Sequence, residues 1–312
     1  MSELFDHADL VNLRHLRAWL AVVEEGSVTA GARRLSISQP ALSQQLRALE
    51  RFFGSELLER MHRGVQPTPL GRALLDDARA TLVAATRLAR QAHSIAGFEA
   101  GILEIATLPT LVEATLLEPI RSWHREHPEV AIRLHEFPLQ SMMTEEVAMG
   151  VADLAIGVRP LRWSGPIVSL GWEQFVVVLP PGDPQSGKQE PVSLGELADR
   201  SWVLYDPSQG LADYVAAACA HAGFRPREAV STSQVQAAVH LALAGVGPVL
   251  VPSENVPLEL AHAARPLDPP IVWELAAFTR TMLSPPAAAF VELLRNRTRV
   301  DPPADAVVLP TG

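Results

Sequence analysis

The chain has 312 residues, enough for two or three modules rather than one core. Its single cysteine, Cys219, excludes an internal disulfide framework and suits a reducing compartment. A formal charge of −9 argues against a chain that coats polyanions along its length, yet residues 14 to 72 hold nine Arg against five Glu, a local balance of +4. The acidic start, Met-Ser-Glu-Leu-Phe-Asp, lacks the basic region and apolar run of a signal peptide, and no apolar stretch approaches membrane-spanning length. A cytoplasmic protein with no membrane partner is expected.

Residues 27 to 54 read as two short helices joined by a tight turn. Ser38 is an N-cap, and Pro40 sits in the first turn, where its missing N–H costs nothing. At 100° per residue, Leu42, Leu46, Leu49 and Phe53 fall within about 40° of one another, while Pro40, Ser43, Gln44, Arg47 and Arg51 fall on the opposite side. One face packs and the other can read. Gln and Arg match adenine and guanine edges in the major groove, and a hydroxyl serves bases or phosphate. On this reading Gln39, Gln44 and Arg47 reach base edges, and Pro40, Ser43 and Arg51 complete the outward face. Val28, Ala32 and Leu35 give the preceding helix a buried stripe, with Thr29, Arg33 and Arg34 placed toward passing phosphates. The plainer alternative is a helical hairpin with a solvated Gln/Arg face.

Short extended pieces follow near 57–59 and 65–66, with a turn at Gly64. They form a wing whose tip, Arg60, His62 and Arg63, reaches phosphate or a minor groove. Thr68 then caps a helix with Pro69 at its first position, and no strong breaker appears before Gly97, so one helix of about 40 Å is predicted. Leu70, Leu74, Ala78, Leu82, Ala85 and Leu88 make a narrow stripe at spacings of three and four. Such a seam pairs with a copy of itself, and a two-fold dimer supplies the second half-site of an interrupted palindromic DNA operator. The alternative is packing within one chain.

From Ile102 strands and helices alternate: strands at 102–107, 130–135, 153–157, 173–179, 202–204, 228–231, 248–251 and 273–278, and helices at 111–127, 142–150, 193–198, 211–222, 235–244 and 286–297. The pattern predicts a parallel sheet wrapped by helices, in two α/β halves, with the chain returning to the first. A hinge is expected near 158–168 and 264–270. After about Arg299, Asp-Pro-Pro-Ala-Asp predicts a loose tail.

In open α/β sheets ligands collect beyond the C-terminal strand ends, where helix N-termini face anions. Those ends carry Thr107, Pro109 and Thr110, then Arg159, Ser208, Thr232 and Gln234. Arg159 suits a carboxylate, and the hydroxyls either meet ligand or cap the next helix. Enzyme-like signals fail on inspection. Gly182 to Lys188 fits a phosphate loop, but Gln189 replaces its metal-binding Ser/Thr and Pro184 removes a cradle N–H. His124 and His127 share a helix without a Cys or acidic partner, Cys219 has no basic neighbour, and no Gly-x-Ser-x-Gly elbow occurs. No metal, cofactor or catalytic residue is expected.

Residues 13 to 71 closely resemble the LysR-type transcriptional regulators. The resemblance is carried by Leu13-Arg14-His15-Leu16-Arg17, Glu24-Glu25-Gly26-Ser27, Ala32-Arg33-Arg34-Leu35, Ser38-Gln39-Pro40-Ala41-Leu42-Ser43, Leu46, Leu49-Glu50, Leu57-Leu58, Arg60, Arg63-Gly64 and Thr68-Pro69. Gln44-Gln45 and Gly-Val-Gln-Pro-Thr resemble the branch that includes nitrogen-assimilation regulators; Gly31 and Leu70 depart from the usual pattern. The resemblance implies a winged helix-turn-helix domain over 1–67, a linker and dimerisation helix over 68–97, and an effector-binding domain over 98–300. That domain is similar to type II periplasmic solute-binding proteins, two Rossmann-like subdomains spanning 98–160 with 268–300, and 161–267. Also implied are a small-molecule effector near Thr110, Ser208 and Thr232, a homotetramer, and RNA polymerase as a further partner. A pure solute-binding module and an α/β enzyme using the same cleft are the competing readings.

Overall fold

The computed structural model describes residues 11–61, 64–95, 101–186, 188, 190–295 and 301–309. The chain divides into two compact units, Met1–Arg90 and Gln91–Gly312.

The first unit is built on capped helices. α1 (Leu13–Glu25) starts where Asn12 accepts the Arg14 N–H at 2.8 Å and ends at Gly26 with φ 61°. α2 (Val28–Arg34) and α3 (Gln39–Phe53) start at Ser27 and Ser38, whose hydroxyls accept from Ala30 N and Ala41 N. Leu16, Trp19, Val22, Ala32, Leu42, Leu46 and Leu49 form the core between them. Gly31 marks the α1–α2 crossing: a Cβ there would lie 2.9 Å from the Val22 side chain and 3.1 Å from its backbone. The departure at Gly31 is therefore a packing requirement. β1 (Leu58–Arg60) and β2 (Val65–Pro67) pair antiparallel, and Val65 N donates to Gly26 O, fastening the wing to the α1–α2 turn. Thr68 accepts the Gly71 N–H and donates to Glu56 O, starting α4 (Pro69–Ile95).

The second unit centres on a mixed sheet, not the expected parallel one. β3 (Gly101–Thr107) pairs parallel with β4 (Val130–Glu136) and β5 (Leu154–Val158), but β11 (Ile271–Phe278) runs antiparallel to β5 and to β6 (Ile167–Val178). Between β3 and β4 the helical run changes pitch: Pro109–Leu111, a π-helical turn Val112–Leu116, then α5 (Leu117–Glu126). Pro119 lacks the N–H that an α-helix would donate to the Thr115 carbonyl, which accounts for the wide turn inside the single helix predicted there. α6 (Gln140–Met149) precedes β5, and α9 (Pro285–Arg295) packs on α5, where Phe290 meets Trp123 edge-on.

Two lobes share β6. Residues 167–174 pair with β11 in the first lobe, while Phe175 to Val178 pair with β9 (Val249–Pro252) and β10 (Ala264–Pro266) in the second. The first crossing therefore falls inside a strand near Gln174, not near 158–168, and the first lobe gains 167–174. The second lobe adds β7 (Ser201–Tyr205), parallel to β8 (Arg227–Thr232), with α7 (Gly210–His221) and α8 (Val235–Leu243). Phosphate-loop geometry is absent from the described part of 182–188: Arg200 pairs with Asp183, Arg265 donates to the Gln185 carbonyl, and only a 3₁₀ turn, Leu194–Leu197, follows.

The predicted loose tail is tied down. β12 (Val307–Val308) pairs parallel with Ile271 and Val272, Val307 N donates to Pro270 O at 2.7 Å, and Leu309 is buried in the second unit's core. Leu309→Ala should cost about 2–5 kcal/mol of stability, the range for a buried leucine truncation. Urea unfolding checks this; an unchanged midpoint would show the tail to be energetically idle.

Candidate functional site

The first unit presents a polar helix face. Gln39, Pro40, Gln44, Arg47 and Arg51 on α3 are exposed and Ser43 is half-buried, opposite the buried Leu42, Leu46 and Leu49. Arg47 Nε donates to Ser43 O at 3.2 Å and Arg51 Nε to Arg47 O at 3.3 Å, holding both guanidinium groups along the helix. Thr29 and Arg33 on α2 are exposed. Arg34 departs from expectation: its Nη1 lies 2.7 Å from Glu24 and 3.2 Å from Glu25 at the end of α1, so two carboxylates occupy a cation assigned to phosphate. Arg63 and His62 lie outside the described residues.

The predicted seam on α4 is split. Leu74, Ala78 and Leu82 pack on the core of the first unit, with Ala78 buried, because α4 lies against the helix-turn-helix of its own chain. Gly71 permits that approach, since a Cβ there would meet Leu57 O at 2.4 Å. Ala85 is half-buried, and Leu70 and Leu88 are exposed, Leu88 at 70%. The stripe is therefore partly an intrachain core and only partly an unoccupied seam.

In the second unit a small cavity opens where both lobes meet. Its lining includes Pro109 and Thr110 from the first lobe, Gln209, Tyr214 and Ser233 from the second, and Trp273 from β11. The remaining predicted residues lie outside that lining. Thr107 is fully buried and donates to Ile156 O. Arg159 reaches Glu274 Oε1 at 3.0 Å and bonds the Glu274 backbone. Ser208 donates twice to Asp206, which holds the Asp206 carboxyl below its usual range. Thr232 accepts the Gln234 N–H, and Gln234 is exposed at the start of α8.

Sequence reasoning missed much of the wall. Gln140 lines the cavity while its amide bonds Val158 in both directions, Nε2 to O at 2.9 Å and Oε1 from N at 3.2 Å. Gly157 makes room, since a Cβ there would meet Gln140 Oε1 at 2.8 Å. Trp273 Nε1 donates to the buried Glu173 at 2.8 Å, and Glu173 also accepts from Glu254 N across the lobes. Phe175, Tyr214 and Trp273 pack as an aromatic triad. Asn255 Nδ2 donates to Thr110 O, and Gln236 spans Glu113 and the Asn255 carbonyl, a second strap between the lobes. Of these, only the strand-end rule pointed to any, and it stops short of helix interiors and of an antiparallel strand.

The helix starts around the cavity share one property. The run at Pro109, α6, α7 and α8 each begin without a side-chain cap. Their N-termini project partial positive charge with no N-cap side chain bonded to the first turn, which favours an anion, although Thr232 accepts the Gln234 N–H just before α8 and Asp213 lies in the first turn of α7. The lining itself carries no ionisable carboxylate, amine, guanidinium or imidazole.

A winged helix-turn-helix followed by a long helix and a two-lobed α/β domain defines a ligand-responsive transcription regulator. The comparisons give its family. Residues 13–72 match the description "Bacterial regulatory helix-turn-helix protein, lysR family", and residues 96–299 match "LysR substrate binding domain". "HTH-type transcriptional regulator TfdS" of Cupriavidus pinatubonensis is 33% identical over 247 residues, 78% of this chain and 83% of the relative. "Probable hydrogen peroxide-inducible genes activator" of Mycobacterium avium is 32% identical over 251 residues, 80% of each. The crystal structure of CbnR, a LysR family transcriptional regulator, aligns with TM-score 0.68 at 27% identity, covering 92% of this chain and 99% of that one. The chain belongs to the LysR family: it is a DNA-binding transcriptional regulator with an effector-binding C-terminal domain.

Cys219 bears on the chemistry of that domain. It is free and fully buried on α7, and burial pushes its thiol up to about 12. A raised thiol pKa adds stability that is complete below the unfolded value near 9 and is lost as pH rises toward about 12. The folded chain at pH 8 should resist a disulfide reagent such as DTNB, while the urea-unfolded chain reacts at once; equal rates would show the thiol to be accessible and activated.

Proposed function

We propose that this regulator binds an operator through the outward face of α3 and the wing, and that a small anionic effector held in the interlobe cavity shifts its conformation. The carrying observation is the cavity itself: four uncapped helix starts around an aromatic wall, at the junction of two lobes that share β6. Helix N-termini suit a carboxylate, and the Trp273 and Tyr214 rings suit a planar or apolar body. The space now measures only about 30 Å³, room for a water or two, so effector entry requires the lobes to part. Thr110, Gln209 and Ser233 supply polar contacts. Arg159, engaged by Glu274, belongs to the lobe framework rather than to the ligand.

The regulator acts by binding rather than catalysis, without a cofactor, and works in the cytoplasm on double-stranded DNA and RNA polymerase. A crystal structure of full-length CbnR with its target DNA, TM-score 0.69 and 27% identity, supports DNA as the partner. Dimers would form through the exposed end of α4 around Leu88, and tetramers through the effector domains; the dimer matches a two-fold operator. Shifting the lobes would alter the spacing of the winged domains and thereby the DNA bend. A peroxide-sensing reading, raised by the name of the Mycobacterium avium relative, is disfavoured by Cys219, whose buried thiol is held protonated.

Arg47 and Arg34 provide the test of the DNA face. With an operator selected from random DNA by the full-length protein, Arg47→Ala should cost about 1–3 kcal/mol and relax preference at one base position in each half-site. Arg34→Ala should change affinity little, because Glu24 and Glu25 already neutralise that cation. Affinities measured on operator and scrambled DNA at several salt concentrations decide it. If Arg47→Ala weakens both DNAs equally, Arg47 holds phosphate and α3 is rotated in the groove.

A further inference from the structure

Four buried side-chain polar atoms lack a hydrogen-bond partner among the described residues: Trp19 Nε1, Tyr214 Oη, Asn255 Oδ1 and Arg265 Nε. Only Tyr214 belongs to the cavity lining. Three other polar side chains of that wall are committed. Tyr205 Oη donates to Leu250 O at 3.2 Å, Trp273 Nε1 to Glu173, and the Gln140 amide bonds Val158 at both ends. Tyr214 is 7% exposed, stacked on Phe175 at 6.2 Å and edge-on to Trp273 at 5.0 Å, so neighbouring rings fix its ring plane. A rigid, desolvated hydroxyl without a partner costs stability and is retained where something else satisfies it.

We infer that Tyr214 is the specificity-determining residue of the effector cavity, its hydroxyl donating to a second polar group on a compact, planar carboxylate. The inference rests on the cavity being the effector site. Tyr214 lies one helical turn, about 5.4 Å along the axis, beyond Gly210 at the start of α7. A ligand whose carboxylate meets that helix start would present its second acceptor to the Tyr214 hydroxyl with its body against the Trp273 ring. An analogue without the acceptor leaves the hydroxyl buried and unpaired, which is how a polar group in an apolar site discriminates between near-identical ligands.

The experiment uses the full-length protein, Tyr214→Phe, and Tyr205→Phe as the control for a tyrosine whose hydroxyl is already bonded. Thermal midpoints are read without ligand, and affinities are taken from thermal shifts with two matched pairs, benzoate against 4-acetylbenzoate and 2-furoate against 5-acetyl-2-furoate. Without ligand, Tyr214→Phe should raise the midpoint and Tyr205→Phe should lower it. The acetyl member should bind the wild type roughly tenfold tighter than its parent, and Tyr214→Phe should bring that ratio to about one without changing the parent's affinity. A lowered midpoint in Tyr214→Phe, or an acetyl preference that survives it, overturns the assignment of Tyr214. Binding of both pair members to the wild type with equal affinity also overturns it and leaves the carboxylate cavity standing. No shift of the wild type by any of the four overturns the cavity reading itself.

Discussion

The effector domain depends on one strand serving two sheets. β6 spends residues 167–174 on the first lobe and 175–178 on the second, so any relative motion of the lobes must twist or bend a continuous hydrogen-bonded ribbon. At that crossing sits Glu173, a buried carboxylate accepting from Trp273 Nε1 and Glu254 N. Burying a carboxylate is costly unless it is bonded, so a movement that separated the lobes there would strip from the charge the Glu254 N–H, while Trp273, in the same lobe, stays with it. The crossing is therefore stiff, and the lobes have few ways to move. The strap at the other side, Asn255 to Thr110 with Gln236 to Glu113, includes a solvent-exposed bond and is the easier contact to exchange with water. Motion that opens this side while keeping Glu173 bonded would widen the cavity between Thr110 and Tyr214.

The first unit is governed by close approach rather than by polarity. Gly31 brings α2 against α1, Gly71 brings α4 against Leu57, and Gly64, at φ 86°, brings the wing under the Gly26 carbonyl. These three contacts fix α3, the wing and the base of α4 as one body, so the outward side chains of α3 are presented on a rigid frame. Rigidity suits base readout, where a misplaced guanidinium loses a bidentate bond. The same frame consumes Leu74, Ala78 and Leu82, leaving less of α4 for pairing than its stripe suggests.

Legibility followed the range of the determining interactions. Helix starts at Ser27, Ser38 and Thr68 rest on bonds spanning three residues, and caps of that kind are written locally. The ion pairs of Arg34 were not legible, because its carboxylates lie on another helix, visible only once α1 and α2 pack. β6 was read as starting only at 173, but the strand begins at Ile167 and passes through Gly171 at φ 95°. Gly171 marks a bulge within the strand, opposite the register shift between Leu275 and Ala276. In the tail, Asp-Pro-Pro-Ala-Asp outweighed the Val307-Val308-Leu309 that follows, although three apolar residues suffice for one edge bridge and a buried anchor. The cavity was legible only at its rim. Tyr214 and Trp273 carry ordinary core residue types, and nothing local distinguishes a ring that packs from a ring that also waits for a ligand.

The central claim is that occupancy of the interlobe cavity and occupancy of the operator are linked. Linkage is reciprocal: whatever factor a ligand imposes on operator affinity, the operator must impose on ligand affinity. The direct measurement is the affinity of the full-length protein for a cavity-binding carboxylate, titrated with and without saturating operator DNA. The account predicts two different dissociation constants, in a ratio equal to the ligand-induced change in operator affinity. Identical constants in the two titrations would contradict it, showing a cavity that binds without reaching the DNA.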